Sequence, residues 1–98
     1  MNEEVKYISY EEAISVYAKM IDASDGGFDG VRDEGGIRAA LEFVQNDMYY
    51  PNFSDKLCSL VYKFCSGHYF NDGNKRIALT LGTYFLHKNS YFWQATIF

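Results

Sequence analysis

Apolar residues recur at helical spacing in four stretches of this chain, separated by polar or glycine-rich breaks. Ile14, Tyr17, Ala18 and Ile21 line one helical face, and Ser9-Tyr10-Glu11-Glu12 ahead of them has the form of a capping box, so the pattern predicts a first helix from about Ser9 to Ala23. Ile37, Ala40, Leu41 and Val44 predict a second from about Glu34 to Asn46. Pro51 biases Tyr50 away from helix, and Ser54 is then in place to cap a third helix with Leu57, Leu60, Val61, Phe64 and Cys65 on its apolar face, running to His68. A fourth follows Asn71–Asn74, carries Ile77, Ala78, Leu81, Tyr84 and Phe85, and ends at Asn89. Between the first two helices, Ser24 to Gly36 holds five glycines, a density that marks turns at positive φ, with Phe28 and Val31 placed to form a short hairpin. The fold class is therefore all-α, with one Gly-rich loop and an aromatic tail, Tyr91 to Phe98, that the pattern does not assign.

The 98 residues, 48% of them hydrophobic, suit one domain that buries roughly 65% of its extended surface. No apolar run approaches the roughly 20 residues a membrane helix needs. The net charge of −4 is unevenly spread, with four basic and eleven acidic residues up to Phe53 and five basic and two acidic after it. An acidic whole argues against a nucleic-acid binder, but the basic half can hold a small anion. Cys58 and Cys65, seven apart, are expected to be small core residues, and no disulfide framework or zinc spacing is present. Met1-Asn2-Glu3-Glu4 has none of the character of a secretion signal, so a cytoplasmic location is expected.

Chemistry concentrates in Gly67-His68-Tyr69-Phe70-Asn71-Asp72-Gly73-Asn74-Lys75-Arg76, which joins the third helix to the fourth. The amides of Gly73, Asn74 and Lys75 lie at a helix N-terminus, where unpaired N–H groups and the dipole favour an anion, and Lys75 and Arg76 add two cations. His68 supplies an imidazole, the side chain suited to proton transfer near neutrality. Asp72 supplies a hard oxygen for Mg²⁺, which binds phosphates together with a carboxylate or two and water. Phe70, apolar among polar neighbours, is placed to anchor the loop in the core. Taken singly, each residue has an ordinary reading: Asp72 as an N-cap, His68 as a dipole partner at a helix end, Lys75 and Arg76 as solvated surface. Their joint spacing is what favours a site for nucleotide-dependent transfer to a hydroxyl.

That segment, His68-x-Phe70-x-Asp72-Gly73-Asn74-x-Arg76, resembles the signature of the Fic/Doc superfamily at every specified position, and the resemblance extends from about Tyr7 to Tyr91. Gly30-Val31-Arg32-Asp33-Glu34-Gly35 and Ile77-Ala78-Leu79 are similar to the Doc (death-on-curing) branch. The resemblance implies a helical bundle in which His68 takes the proton of a Ser or Thr hydroxyl on a protein target. Asp72 would hold Mg²⁺ on ATP, while Gly73, Asn74, Lys75 and Arg76 bind its phosphates. It also places a target-binding flap over Asp25 to Asp33, including Phe28, Val31 and Arg32. Adenylyl-transferring Fic enzymes have glycine where this chain has Lys75 and a second arginine where it has Leu79, so the likeness favours phosphorylation over AMP transfer. Gly73, where Doc often has alanine, points the other way.

Members of this branch are toxins that act on elongation factor Tu and are silenced by a small antitoxin. The self-inhibitory motif of other Fic proteins is absent, since Gly30 stands four residues before Glu34, so restraint is expected from a partner. Relatives continue past the motif helix with one or two further helices, so the expected bundle lacks its last C-terminal helices. A swapped element, a second copy or an antitoxin would then cover the fourth helix. A Fic-fold binding module without catalysis is the reading from a different class.

Overall fold

The structure is a computed structural model that describes residues 4–23 and 30–91. Phe28, most of the expected flap hairpin and the tail beyond Tyr91 lie outside the described residues. Four helices follow in order: α1 (Tyr10–Ala23), α2 (Glu34–Phe43), α3 (Phe53–Ser66) and α4 (Asn74–Lys88). Among the described residues there is no strand, only one isolated antiparallel bridge between Val31 and Phe70.

The capping box of α1 forms as read. The Glu12 amide donates to Ser9 Oγ at 3.1 Å and the Ser9 amide to Glu12 Oε1 at 2.9 Å. Its buried row is Ala13, Tyr17 and Ile21, whereas Ile14 is half-buried and Ala18, expected inside, is exposed. The core sees the i, i+4, i+8 row, and Ala18 sits one position round the helix from it.

Helix boundaries depart from expectation in α2 and α3. Capped by Asp33, whose Oδ1 accepts the Gly36 amide at 2.8 Å, α2 stops at Phe43 and not at Asn46. Four-residue turns then close from the Gln45 amide to the Glu42 carbonyl and from the Asn46 amide to the Phe43 carbonyl, and Asn46 Oδ1 accepts the Met48 amide at 2.9 Å, so an Asx turn competes successfully with the helix. For α3 the cap is Asn52 and not Ser54. Asn52 is extended at φ −126°, and its Oδ1 accepts both the Asp55 amide at 3.0 Å and the Ser54 hydroxyl at 2.9 Å.

On α3 the expected apolar face includes a charged residue. Lys56 is only 2% exposed, and its Nζ donates to the Val44 carbonyl at 3.2 Å and to Asp47 Oδ1 at 2.7 Å, tying α3 to the loop before it. Neither cysteine is the core residue expected: Cys58 is exposed and Cys65 is half-buried.

The core is built from Ile37, Leu60, Phe64, Phe70, Ile77, Leu81 and Phe85, with α3 against α4 the most extensive pairing. Gly82 permits that approach, because a Cβ there would stand 2.8 Å from Val61 Cγ2. At the end of α4, Asn89 holds the N-terminal segment, accepting the Lys6 amide at 2.7 Å and donating to the Lys6 carbonyl at 3.0 Å. No described helix is long and apolar enough to cross a membrane.

Candidate functional site

The α3–α4 connection is fixed by its backbone and by one asparagine. Gly67 ends α3, and His68 takes a left-handed conformation at φ 54°, uncommon outside glycine, so the predicted helix stops two residues short of it. The turn leaves His68 exposed while Phe70 drops into the core at 0% exposure. Asn74, at the start of α4, reaches back to Phe70, accepting its amide at 3.1 Å and donating to its carbonyl at 3.0 Å. Both ends of the carboxamide thus shape the loop, a role the sequence does not signal.

The far end of the Gly-rich loop pairs with the same connection. The Tyr69 carbonyl accepts the amides of Arg32 at 2.8 Å and Asp33 at 3.0 Å, and the Asn71 amide donates to the Gly30 carbonyl at 3.0 Å. Val31 and Arg32, the described part of the expected flap, are exposed beside the loop that carries His68. Tyr69 packs edge-on against Phe64, with ring centroids 5.2 Å apart, and burial together with the Asp33 charge pushes its phenol up.

Helix α4 opens on Gly73 in the left-handed region at φ 77°. No side chain among the described residues caps the first turn, so its amides face outward with the positive end of the dipole. A Cβ on Gly73 would lie 3.1 Å from Met20 Cε and 3.7 Å from Arg76 Nη2, so the missing side chain leaves a hollow with the Arg76 guanidinium at its edge. The Gly73 amide, expected to face a phosphate, donates instead to Asp72 Oδ1 at 2.8 Å. Lys75 is exposed on the same turn, and Leu79, one turn on, is 68% exposed. A cleft of about 520 Å³, lined by Val16, Met20, Arg76, Thr80 and Tyr84, continues the hollow between α1 and α4.

Whether these residues suit Mg²⁺ is decided by the donor set. Among the described residues no group of three or more His, Cys, Asp or Glu could hold a metal ion, and the Asp72 carboxylate is exposed and bonded through Oδ1. One carboxylate cannot build a resident metal cage, but it fits an ion that arrives already carried by phosphates and water. The fit is to a metal–nucleotide complex and not to a free ion.

Two groups were not legible as site residues. Tyr17 of α1 stacks on Phe70 with centroids 4.0 Å apart and planes 18° from parallel, and its hydroxyl donates to the Asp72 carbonyl at 2.9 Å. Its place in the apolar row of α1 hid that second contact. Glu12 accepts from the Tyr84 hydroxyl and from Lys88 Nζ, each at 2.6 Å, clamping α1 to α4. Burial works against its charge, but the bonds from Lys88, Tyr84 and the Ser9 amide outweigh it and hold the carboxyl at about 2.

Comparison with known proteins shows the family to which the chain is similar. The profile of the Fic/DOC family matches residues 7–86. The chain is 35% identical over 88 residues to "Protein kinase doc" of Escherichia phage P1, an alignment covering 87% of this chain and 69% of that protein.

Proposed function

Since this chain belongs to the Fic/Doc family, matching it over residues 7–86, we propose that it is a Doc-like toxin that transfers the γ-phosphate of ATP to a Ser or Thr hydroxyl of a protein target. The observation that carries the reading is the joining of three parts by one short connection: exposed His68, the exposed carboxylate of Asp72, and the uncapped first turn of α4 with Lys75 and Arg76.

In this reading His68 accepts the hydroxyl proton as the target oxygen attacks the γ-phosphorus, whose bond to the β–γ bridging oxygen breaks and releases ADP. Asp72 would supply a protein oxygen to Mg²⁺ carried by the nucleotide, and the ion's chemistry there would be to neutralise phosphate charge. The amides of the first turn of α4, with Arg76 and Lys75, hold the phosphate oxygens and stabilise the charge that spreads over them during transfer. Asn74 keeps the loop closed, and Val31 and Arg32 offer an edge against which target backbone can lie. By the family resemblance the target is elongation factor Tu, the consequence is inhibited translation, and a small antitoxin restrains the protein in a reducing cytoplasm.

Phosphoryl transfer is favoured over AMP transfer by Lys75 and by Leu79, since the cations beside the hollow are then Lys75 and Arg76 alone among the described residues of that turn. The name of the phage P1 relative, a protein kinase, supports the same choice. Incubating the protein with elongation factor Tu, Mg²⁺ and ATP labelled at either the α- or the γ-phosphate tests it. Label from the γ-position alone is expected, and label from the α-position would establish AMP transfer instead.

A further inference from the structure

Tyr17 lies on α1, fifty-five residues before Asp72, yet it touches the motif loop at two points. Its ring, 4% exposed, lies flat on the wholly buried ring of Phe70, and its hydroxyl donates to the main-chain carbonyl of Asp72. The two contacts fall on either side of Asn71, so they fix the loop as a two-point grip. A phenylalanine would fill the ring site as well, and what tyrosine adds is the bond to Asp72.

We infer that Tyr17 is a positioning residue for the Asp72 carboxylate, setting the direction in which it meets a metal–nucleotide complex. The inference rests on the transfer site proposed above. Holding the Asp72 carbonyl fixes that residue's peptide plane from one side, and the Gly73 amide on Oδ1 holds the carboxylate from the other. With one oxygen occupied, Oδ2 is the atom left to face the ion, and its direction follows from the two anchors. The anchor on α1 is itself steady, because Glu12 bonds Tyr84 and Lys88 of α4, the helix whose first turn would bind the phosphates. Carboxylate and phosphate cradle are thereby referred to one frame. A carboxylate held in this way meets the ion in a set direction, as the outer partners of metal ligands arrange.

Equilibrium binding of ATP, measured by calorimetry with Mg²⁺ and with EDTA, tests this apart from turnover. Wild type should bind ATP more tightly with Mg²⁺. Tyr17→Phe should keep the EDTA affinity within about twofold and lose roughly tenfold of the Mg²⁺-dependent gain, the order expected for a ligand-orienting partner. Asp72→Ala should abolish the gain, and Tyr17→Phe should then cost nothing further. Incorporating 4-aminophenylalanine at position 17, which restores a donor on the same ring, should recover the gain and provides a second folded variant. An unchanged Mg²⁺ gain in Tyr17→Phe, or an equal loss in EDTA, overturns the inference and leaves the transfer site standing. A wild type indifferent to Mg²⁺ overturns the reading of the site itself.

Discussion

The carboxamide of Asn74 spans the main chain of Phe70, accepting its amide at 3.1 Å and donating to its carbonyl at 3.0 Å. The residue after Gly73 thereby closes the loop that presents His68 on one side and Asp72 on the other. Asn74→Ala leaves both Phe70 groups without that partner in a half-buried setting. The expected cost is about 1–3 kcal/mol in chemical denaturation, with transfer reduced by more than that loss of folded protein explains. Asn74→Asp retains the acceptor and loses the donor, so it should fall between Asn74→Ala and wild type in stability.

His68 is exposed and outside the core, so His68→Ala should leave the unfolding free energy within about 0.5 kcal/mol of wild type. Loss of a general base should lower transfer by roughly 10²-fold or more. Parallel measurement of kcat and Tm separates the two. A comparable fall in Tm would make His68 a structural residue.

Gly73 sits at φ 77° with Met20 Cε 3.1 Å from where a Cβ would be. Gly73→Ala incurs the left-handed penalty of about 1–2 kcal/mol, while the steric part is small because the Met20 methyl is the free end of a flexible side chain. The added methyl narrows the hollow beside Arg76. Stability should therefore fall modestly, with weaker ATP binding, and thermal melts with and without nucleotide check both.

Acid should loosen the α1–α4 clamp. The Glu12 carboxyl lies at about 2 in the folded protein against an ordinary 4.5, so the unfolded chain takes up the proton first as pH falls. Its contribution to stability is complete above about 4.5 and is lost as pH drops towards 2. Glu12→Gln should flatten that part of a stability–pH curve and lower the plateau above it. Urea titrations at pH 3 to 6 show whether the slope is present in wild type and reduced in the variant.

Much of the arrangement was legible because two local codes agreed. The capping box of Ser9 and Glu12 and the apolar periods of the four helices report contacts within a turn or one face, which neighbouring residues determine. The errors fall where one polar residue outcompetes another for the same backbone group. Asn52 took the cap expected of Ser54, and the Asn46 Asx turn ended α2 early. Lys56 was hidden for a different reason: only the approach of the Val44 carbonyl and Asp47 makes a buried ammonium tolerable at an apolar position, and no period in the sequence reports that approach. At the site, His68, Asp72, Lys75 and Arg76 were marked by their joint spacing. The hold of Asn74 on the Phe70 main chain leaves no mark in the spacing, and neither does the bond of the Tyr17 hydroxyl to a partner fifty-five residues away.

The most direct measurement of the central claim is transfer of label from ATP to elongation factor Tu in the presence of Mg²⁺, run side by side with γ- and α-labelled nucleotide and with His68→Ala. The account predicts a labelled Ser or Thr from the γ-labelled sample only, absent in the variant. Label from the α-position, or equal labelling by wild type and His68→Ala, would contradict it.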